Sequence, residues 1–261
     1  MAEVGPLEAH LRAQRDAGRK LLVPYVTGGL GADWTEVVRA YADAGADAIE
    51  IGIPFSDPVM DGPTIQEASE VALDQGANLG SILTALRNVD AGVPLVVMTY
   101  VNLVFHAGYE RFAAEAVAAG VSGVILPDLP MEEVGEWEPH AAEAGLATVQ
   151  LASPLTPDDR LAALCRRSQG FVYGVNLLGV TGERTEVADS STVLAKRLKA
   201  TTDLPVVMGF GIATPDHART ASTHADGVVV ASALMRLRLD GAAPEDLGEV
   251  VAGFRAALDR S

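Results

Sequence analysis

The segment IEIGIPFSDPVMDGPTIQ, residues 49–66, holds the side chains best placed to do chemistry. Glu50 stands inside an otherwise apolar run. An ionised carboxylate is costly in such surroundings, so the position predicts a pKa raised by desolvation. A carboxyl that titrates near neutrality suits a general acid or base. The competing reading is a glutamate ion-paired with an arginine beneath the fold. Asp61 ends a loop that contains Asp57 and is stiffened by Pro54, Pro58 and Pro63, which limits the entropy lost in holding a side chain in place. One loop aspartate alone reads as a turn or cap residue. Two carboxylates following one strand tilt the pair toward function.

The rest of the chain offers little competing chemistry. Its lysines are Lys20, Lys196 and Lys199; the first precedes an apolar run and the others lie in an amphipathic stretch. A Schiff-base lysine at a strand end is therefore not expected. Among the histidines only His106 lies near a strand end, which argues against a histidine-rich metal centre. Alone, it reads as a solvated loop residue. The single cysteine, Cys165, excludes an intramolecular disulfide and a multi-cysteine metal site. Metal-free acid–base chemistry by carboxylates is what remains.

The elements that must position these groups alternate. Apolar runs at Leu21–Val26, Ala48–Ile51, Leu95–Thr99, Gly123–Leu126, Ala147–Leu151, Phe171–Val175, Pro205–Met208 and Gly227–Val230 read as strands covered on both faces. Amphipathic stretches at Trp34–Ala44, Ser81–Val89, Tyr109–Ala119, Glu132–Ala144, Asp158–Arg167, Thr192–Ala200, Pro215–Thr223 and Leu247–Leu258 read as helices. A further helix opens after Gly62, and Leu7–Ala17 precedes the first strand. Thr156 and Thr214, each followed by proline, offer capping hydroxyls. Eight strands with no linker predict an α/β fold, a (β/α)8 barrel of the TIM type with an extra N-terminal helix, spanning residues 1–261 as a single domain.

Chemistry in that fold sits at the C-terminal strand ends, and phosphate commonly sits after the last two strands. GVTG (179–182), GFG (209–211) and ASA (231–233) are the glycine- and serine-bearing candidates, with Ser232 expected to cap a short helix, Ser232–Leu237. The net charge of -16 disfavours nucleic acid and anionic membrane as partners. With no apolar leader or span-length run visible, a cytoplasmic location is the default expectation.

The strand 2 motif, followed by MTYVNLVFHAG, ILPDLP, GVTG and GFGI, resembles the tryptophan synthase alpha subunit family over nearly the whole chain. The resemblance implies retro-aldol cleavage of indole-3-glycerol phosphate to indole and glyceraldehyde 3-phosphate. It implies no cofactor in this chain, and transfer of indole to a pyridoxal-phosphate beta subunit in an α2β2 complex. Matched by position, Glu50 would protonate indole C3 and take the glycerol hydroxyl proton, and Asp61 would accept from the indole N–H. Tyr25 and Tyr173 would line the substrate pocket, and Thr181 would belong to a loop closing toward Asp61. Gly182, Gly211 and Ser232 would contact phosphate. Asp57, Pro58 and Asn102 would face the beta subunit.

The chain departs from the family pattern in three places. GGLGAD (28–33) replaces Gly-Asp-Pro, NLL (176–178) stands where a small residue is usual, and Ala231 replaces glycine. If that last position needs φ > 0, alanine would weaken phosphate binding. A free-standing lyase and a non-catalytic, partner-activating paralogue stay open as alternatives at this point.

Overall fold

The computed structural model describes residues 4–175, 184–209 and 211–260, the side chains of 184–189 excepted. The chain order is α1 (Pro6–Asp16), β1 (Leu21–Thr27), α2 (Trp34–Asp43), β2 (Ile49–Gly52), α3 (Pro63–Asp74), α4 (Leu79–Leu86), β3 (Leu95–Met98), α5 (Val101–Ala107), α6 (Tyr109–Ala118) and β4 (Val121–Ile125). It continues with α7 (Trp137–Ala144), β5 (Ala147–Ala152), α8 (Asp158–Arg167), β6 (Val172–Val175), α9 (Arg184–Thr201), β7 (Val206–Gly209), α10 (Pro215–Ser222), β8 (Gly227–Val230), α11 (Ser232–Leu239) and α12 (Pro244–Leu258). The strands follow one another in order and β8 closes on β1, all in parallel, so the sheet is a closed eight-stranded barrel. The expected (β/α)8 architecture is what forms.

Alternation along each strand divides the core into two regions. Leu21, Val23, Ala48, Val96, Val207 and Val229 fill the interior. Intervening residues such as Leu22, Ile49, Ile51, Leu95 and Val97 face the helices. Leu7 and Leu11 of α1 are fully buried in the interior group, so the extra N-terminal helix packs against the barrel interior through these two side chains.

Several local expectations needed correction. Helix 132–144 begins only at Trp137, because Pro139 would clash with a helical carbonyl four residues earlier and fits only in the first turn. α8 is preceded by Pro157 with no side-chain cap; Thr156 Oγ1 instead accepts from Ser153 N at 3.0 Å. Thr214 does cap α10, accepting from His217 N. α5 was not foreseen: its first N–H, at Val101, donates to Asp128 Oδ1 at 2.9 Å, a cap supplied from the next strand's loop. His106 accordingly lies in a helix, exposed, rather than in a loop.

Candidate active site

Glu50 is the second residue of β2 and is level with Tyr25 of β1 and Val96 of β3. Residues level across parallel strands point to the same face, so its carboxyl joins Tyr25 and Val96 in the interior. It is 1% exposed, and its Oε2 has no hydrogen-bond partner among the described residues. No arginine or lysine pairs with it among those residues, so the alternative of a structural ion pair fails. Burial first, and then the charge of Asp61, push its pKa up to about 8.

Asp61 is brought to the same mouth by the loop between β2 and α3. Its N–H donates to Pro58 O at 3.0 Å, and Gln66 Nε2 donates to its carbonyl at 2.9 Å. Its carboxylate accepts from Tyr100 Oη at 2.8 Å. Burial raises its pKa, and the Tyr100 hydrogen bond opposes the rise.

Tyr100 is a residue that sequence reasoning missed. It lies two residues past the end of β3, and reading the strand-3 end as closely as the strand-2 end would have found it. Its hydroxyl also accepts from Met60 N at 3.0 Å, and its ring stacks on Phe55 at 4.9 Å. Tyr100 therefore fixes both the backbone before Asp61 and the carboxylate itself. Tyr100→Phe removes one hydrogen bond to a charged group, worth about 1.5–3 kcal/mol, so kcat/KM is expected to fall about ten- to a hundredfold. The acid limb of its pH profile should move to higher pH, since the lost donor favoured the ionised carboxylate. An unchanged profile would refute the role.

Two glycines seat two tyrosines beside the carboxylates. A Cβ at Gly52 would overlap the hydroxyl of Tyr25, and a Cβ at Gly209 would lie 2.5 Å from Cε2 of Tyr173. Both rings are buried, Tyr25 at 2% and Tyr173 at 7% exposure. Burial raises both pKa values, with further contributions from Asp61 and Glu50 respectively, so each remains a neutral O–H. Thr27 Oγ1 lies 3.4 Å from Tyr25 Oη.

Of the phosphate candidates, Gly211 follows β7 with φ 54, exposed. Ser232 is also exposed, but it is the first residue of α11 and not its cap; Ala231 holds the cap position with φ -118. That backbone is open to alanine, which removes the expected penalty for replacing glycine. In the first turn of α11 Leu234 N donates to Ala231 O at 3.0 Å, so the N–H groups of Ser232 and Ala233, which open the helix, are the ones offered to an anion. Thr181 and Gly182 lie outside the described residues, as does the 176–178 departure. Asp57 and Asn102 are exposed and Pro58 half-buried at the same end, near exposed Val59 and Phe105.

A parallel barrel carrying at its C-terminal mouth a buried carboxylic acid, with an oxygen unpartnered among the described residues, beside a second, oriented carboxylate has the layout of an acid–base enzyme site. Known proteins narrow the class. Residues 11–249 match the family of the tryptophan synthase alpha chain. The tryptophan synthase alpha chain of Xanthomonas euvesicatoria is 44% identical with all of both chains covered, and that of Streptomyces coelicolor is 42% identical over 90% of this chain and 88% of its own. The barrel superposes on tryptophan synthase of Mycobacterium tuberculosis with a TM-score of 0.90 at 35% identity, covering 98% of this chain and 99% of the other. The alpha subunit from Legionella pneumophila gives 0.89 at 31%, covering 99% and 100%. This chain belongs to the tryptophan synthase alpha chain family, a family of lyases.

Proposed function

We propose that this chain cleaves indole-3-glycerol phosphate to indole and glyceraldehyde 3-phosphate, with Glu50 as the proton-transfer group and Asp61 as the orienting one. Protonated Glu50 gives its proton to indole C3, and the ring nitrogen takes up the positive charge. Asp61 accepts from that N–H and stabilises the charge as it develops. The bond from C3 to the glycerol carbon then breaks, and its electrons return to the ring. The glycerol hydroxyl becomes the aldehyde and yields its proton to the Glu50 carboxylate. Atoms balance, and Glu50 ends protonated as it began.

The observation that carries this reading is Glu50 itself, buried with an oxygen unpartnered among the described residues and raised to about 8. No cofactor enters these steps; pyridoxal phosphate belongs to the partner. Tyr25 and Tyr173 wall the indole pocket. Gly182, Gly211 and Ser232 hold the phosphate, and Thr181 closes toward Asp61. Residues 1–261 work as one barrel domain, in the cytoplasm; among the described residues no helix is long and apolar enough to cross a membrane.

The partner is a tryptophan synthase beta subunit in an α2β2 assembly, meeting the face that carries Asp57, Pro58 and Asn102. Val59 at 78% and Phe105 at 66% exposure support an interface there, because exposed apolar side chains clustered at a site mouth mark docking surfaces. Indole release from indole-3-glycerol phosphate, measured with and without added beta subunit, tests the proposal. Slow turnover alone and strong activation by the partner are expected; full activity alone points to a free-standing lyase, and none in either case to a non-catalytic chain. Asp61→Asn should lower the activated rate substantially, but less than Glu50→Gln; equal, mild effects would refute the division of labour.

A further inference from the structure

Helix α11 starts at Ser232 and is clamped at its far end. Arg238, whose side chain is 11% exposed, spreads its guanidinium over the 28–33 segment, where the chain departs from its family. Its Nη2 bonds the Asp33 carboxylate, Nη2 and Nε donate to Leu30 O at 3.3 and 3.4 Å, and Nη1 donates to Ala242 O at 2.9 Å. Asp33 occupies the cap position of α2 and makes no side-chain capping bond; its carboxylate meets Arg238 instead. One turn earlier on the same helix, fully buried Met235 accepts from Thr27 N at 3.4 Å, at the end of β1. On the other side Arg236 pairs with Glu67 of α3 at 2.9 Å.

We infer that Arg238 is a positioning residue for the substrate's phosphate, acting through the axis of α11 and the 28–33 loop. The inference rests on the reading that the phosphate sits at the first turn of this helix. Ser232 and Arg238 are six residues apart, about 9 Å along a helix axis. A rod that short passes any tilt at one end directly to the other. First-turn N–H groups bind an oxyanion only when aimed at it, and small displacements of positioning groups are costly. The GGLGAD departure thus brings a carbonyl and a carboxylate to the helix that would hold the phosphate. Arg238 uses a planar fork there that lysine cannot reproduce.

The test uses the full chain with its beta subunit and compares wild type, Arg238→Met, Arg238→Lys and Asp33→Asn. Arg238→Met should raise KM for indole-3-glycerol phosphate and the inhibition constant of inorganic phosphate together by about tenfold, equivalent to about 1.4 kcal/mol. The kcat and the affinity for indole, which carries no phosphate, should stay near wild type. Arg238→Lys and Asp33→Asn should show the same pattern at smaller size. Unchanged phosphate inhibition in folded Arg238→Met and Asp33→Asn overturns the inference, and so does an equal loss of indole affinity, which would mean general loosening. If inorganic phosphate does not inhibit the wild type, or Ser232→Ala leaves inhibition unchanged, the phosphate reading itself fails and the inference falls with it. A wild type that binds phosphate through Ser232 beside indifferent Arg238 variants removes the inference alone.

Discussion

Glu50→Gln is expected to lower indole release from indole-3-glycerol phosphate by about a hundred- to ten-thousandfold, the range contributed by positioned acid–base groups. Glutamine keeps the size and the buried position but has no proton to deliver to C3. The pH dependence of the wild type follows from the same group. In the proposed mechanism the active form is the acid, held to about pH 8, so kcat/KM should fall as pH rises through that value. At the other limb the same mechanism needs Asp61 ionised, and since burial raises it, activity should be lost on acidification above the ordinary carboxylate range.

The same titration sets the stability of the fold. Glu50 titrates near 4.5 in an ordinary setting and about 8 in the fold, so between these values the folded chain binds more protons than the unfolded one. Stability then declines as pH climbs through that window. The Glu50→Gln variant escapes this cost, so its melting advantage over wild type should grow between about pH 5 and 8, at about 2–4 °C per kcal/mol. Retention of wild-type turnover in Glu50→Gln would sink the chemical assignment. A melting advantage that shrinks with pH would sink the electrostatic one.

The barrel was legible because strands buried on both faces leave continuous apolar runs, and eight such runs stand apart along the chain. Glu50 was legible for the same reason, as a charged residue where only apolar ones belong. What stayed hidden depends on partners far away in sequence. Asp128 caps α5 from 27 residues downstream, so Val101–Ala107 gave no start signal of its own. Tyr100 binds Asp61 across 39 positions. Arg238 takes Asp33 from 205 positions away, a pairing that no local pattern around either residue announces. Ser232 stands one position inside its helix rather than at the cap, a shift common at helix ends.

Asp47→Ala is expected to cost about 3–5 kcal/mol of stability, the usual result of removing one partner from a buried ion pair. Asp47 is 2% exposed, three residues before Glu50 and just ahead of the N-terminal end of β2. Its carboxylate accepts from Arg19 Nε at 2.7 Å, Arg255 Nη1 at 3.0 Å and Leu22 N at 2.8 Å. It thereby joins α12 to the start of the barrel. Truncation orphans the Leu22 N–H and leaves the buried Arg255 with Asp259, half-exposed, as its remaining ion-pair partner. Urea unfolding should show a lower midpoint at unchanged slope, with Asp47→Asn milder because the amide oxygen still accepts. Folded Asp47→Ala should keep its kcat, since nothing at that end touches the C-terminal mouth. The two buried acids of the Asp-Ala-Ile-Glu segment differ in one respect: both oxygens of Asp47 are engaged by donors, and Glu50 has a buried oxygen with none among the described residues. A satisfied acid holds the fold and an unsatisfied one is kept for a substrate, so loss of stability at 47 with loss of turnover at 50 is the required pairing. A stability loss at Glu50→Gln equal to that at Asp47→Ala would undo it.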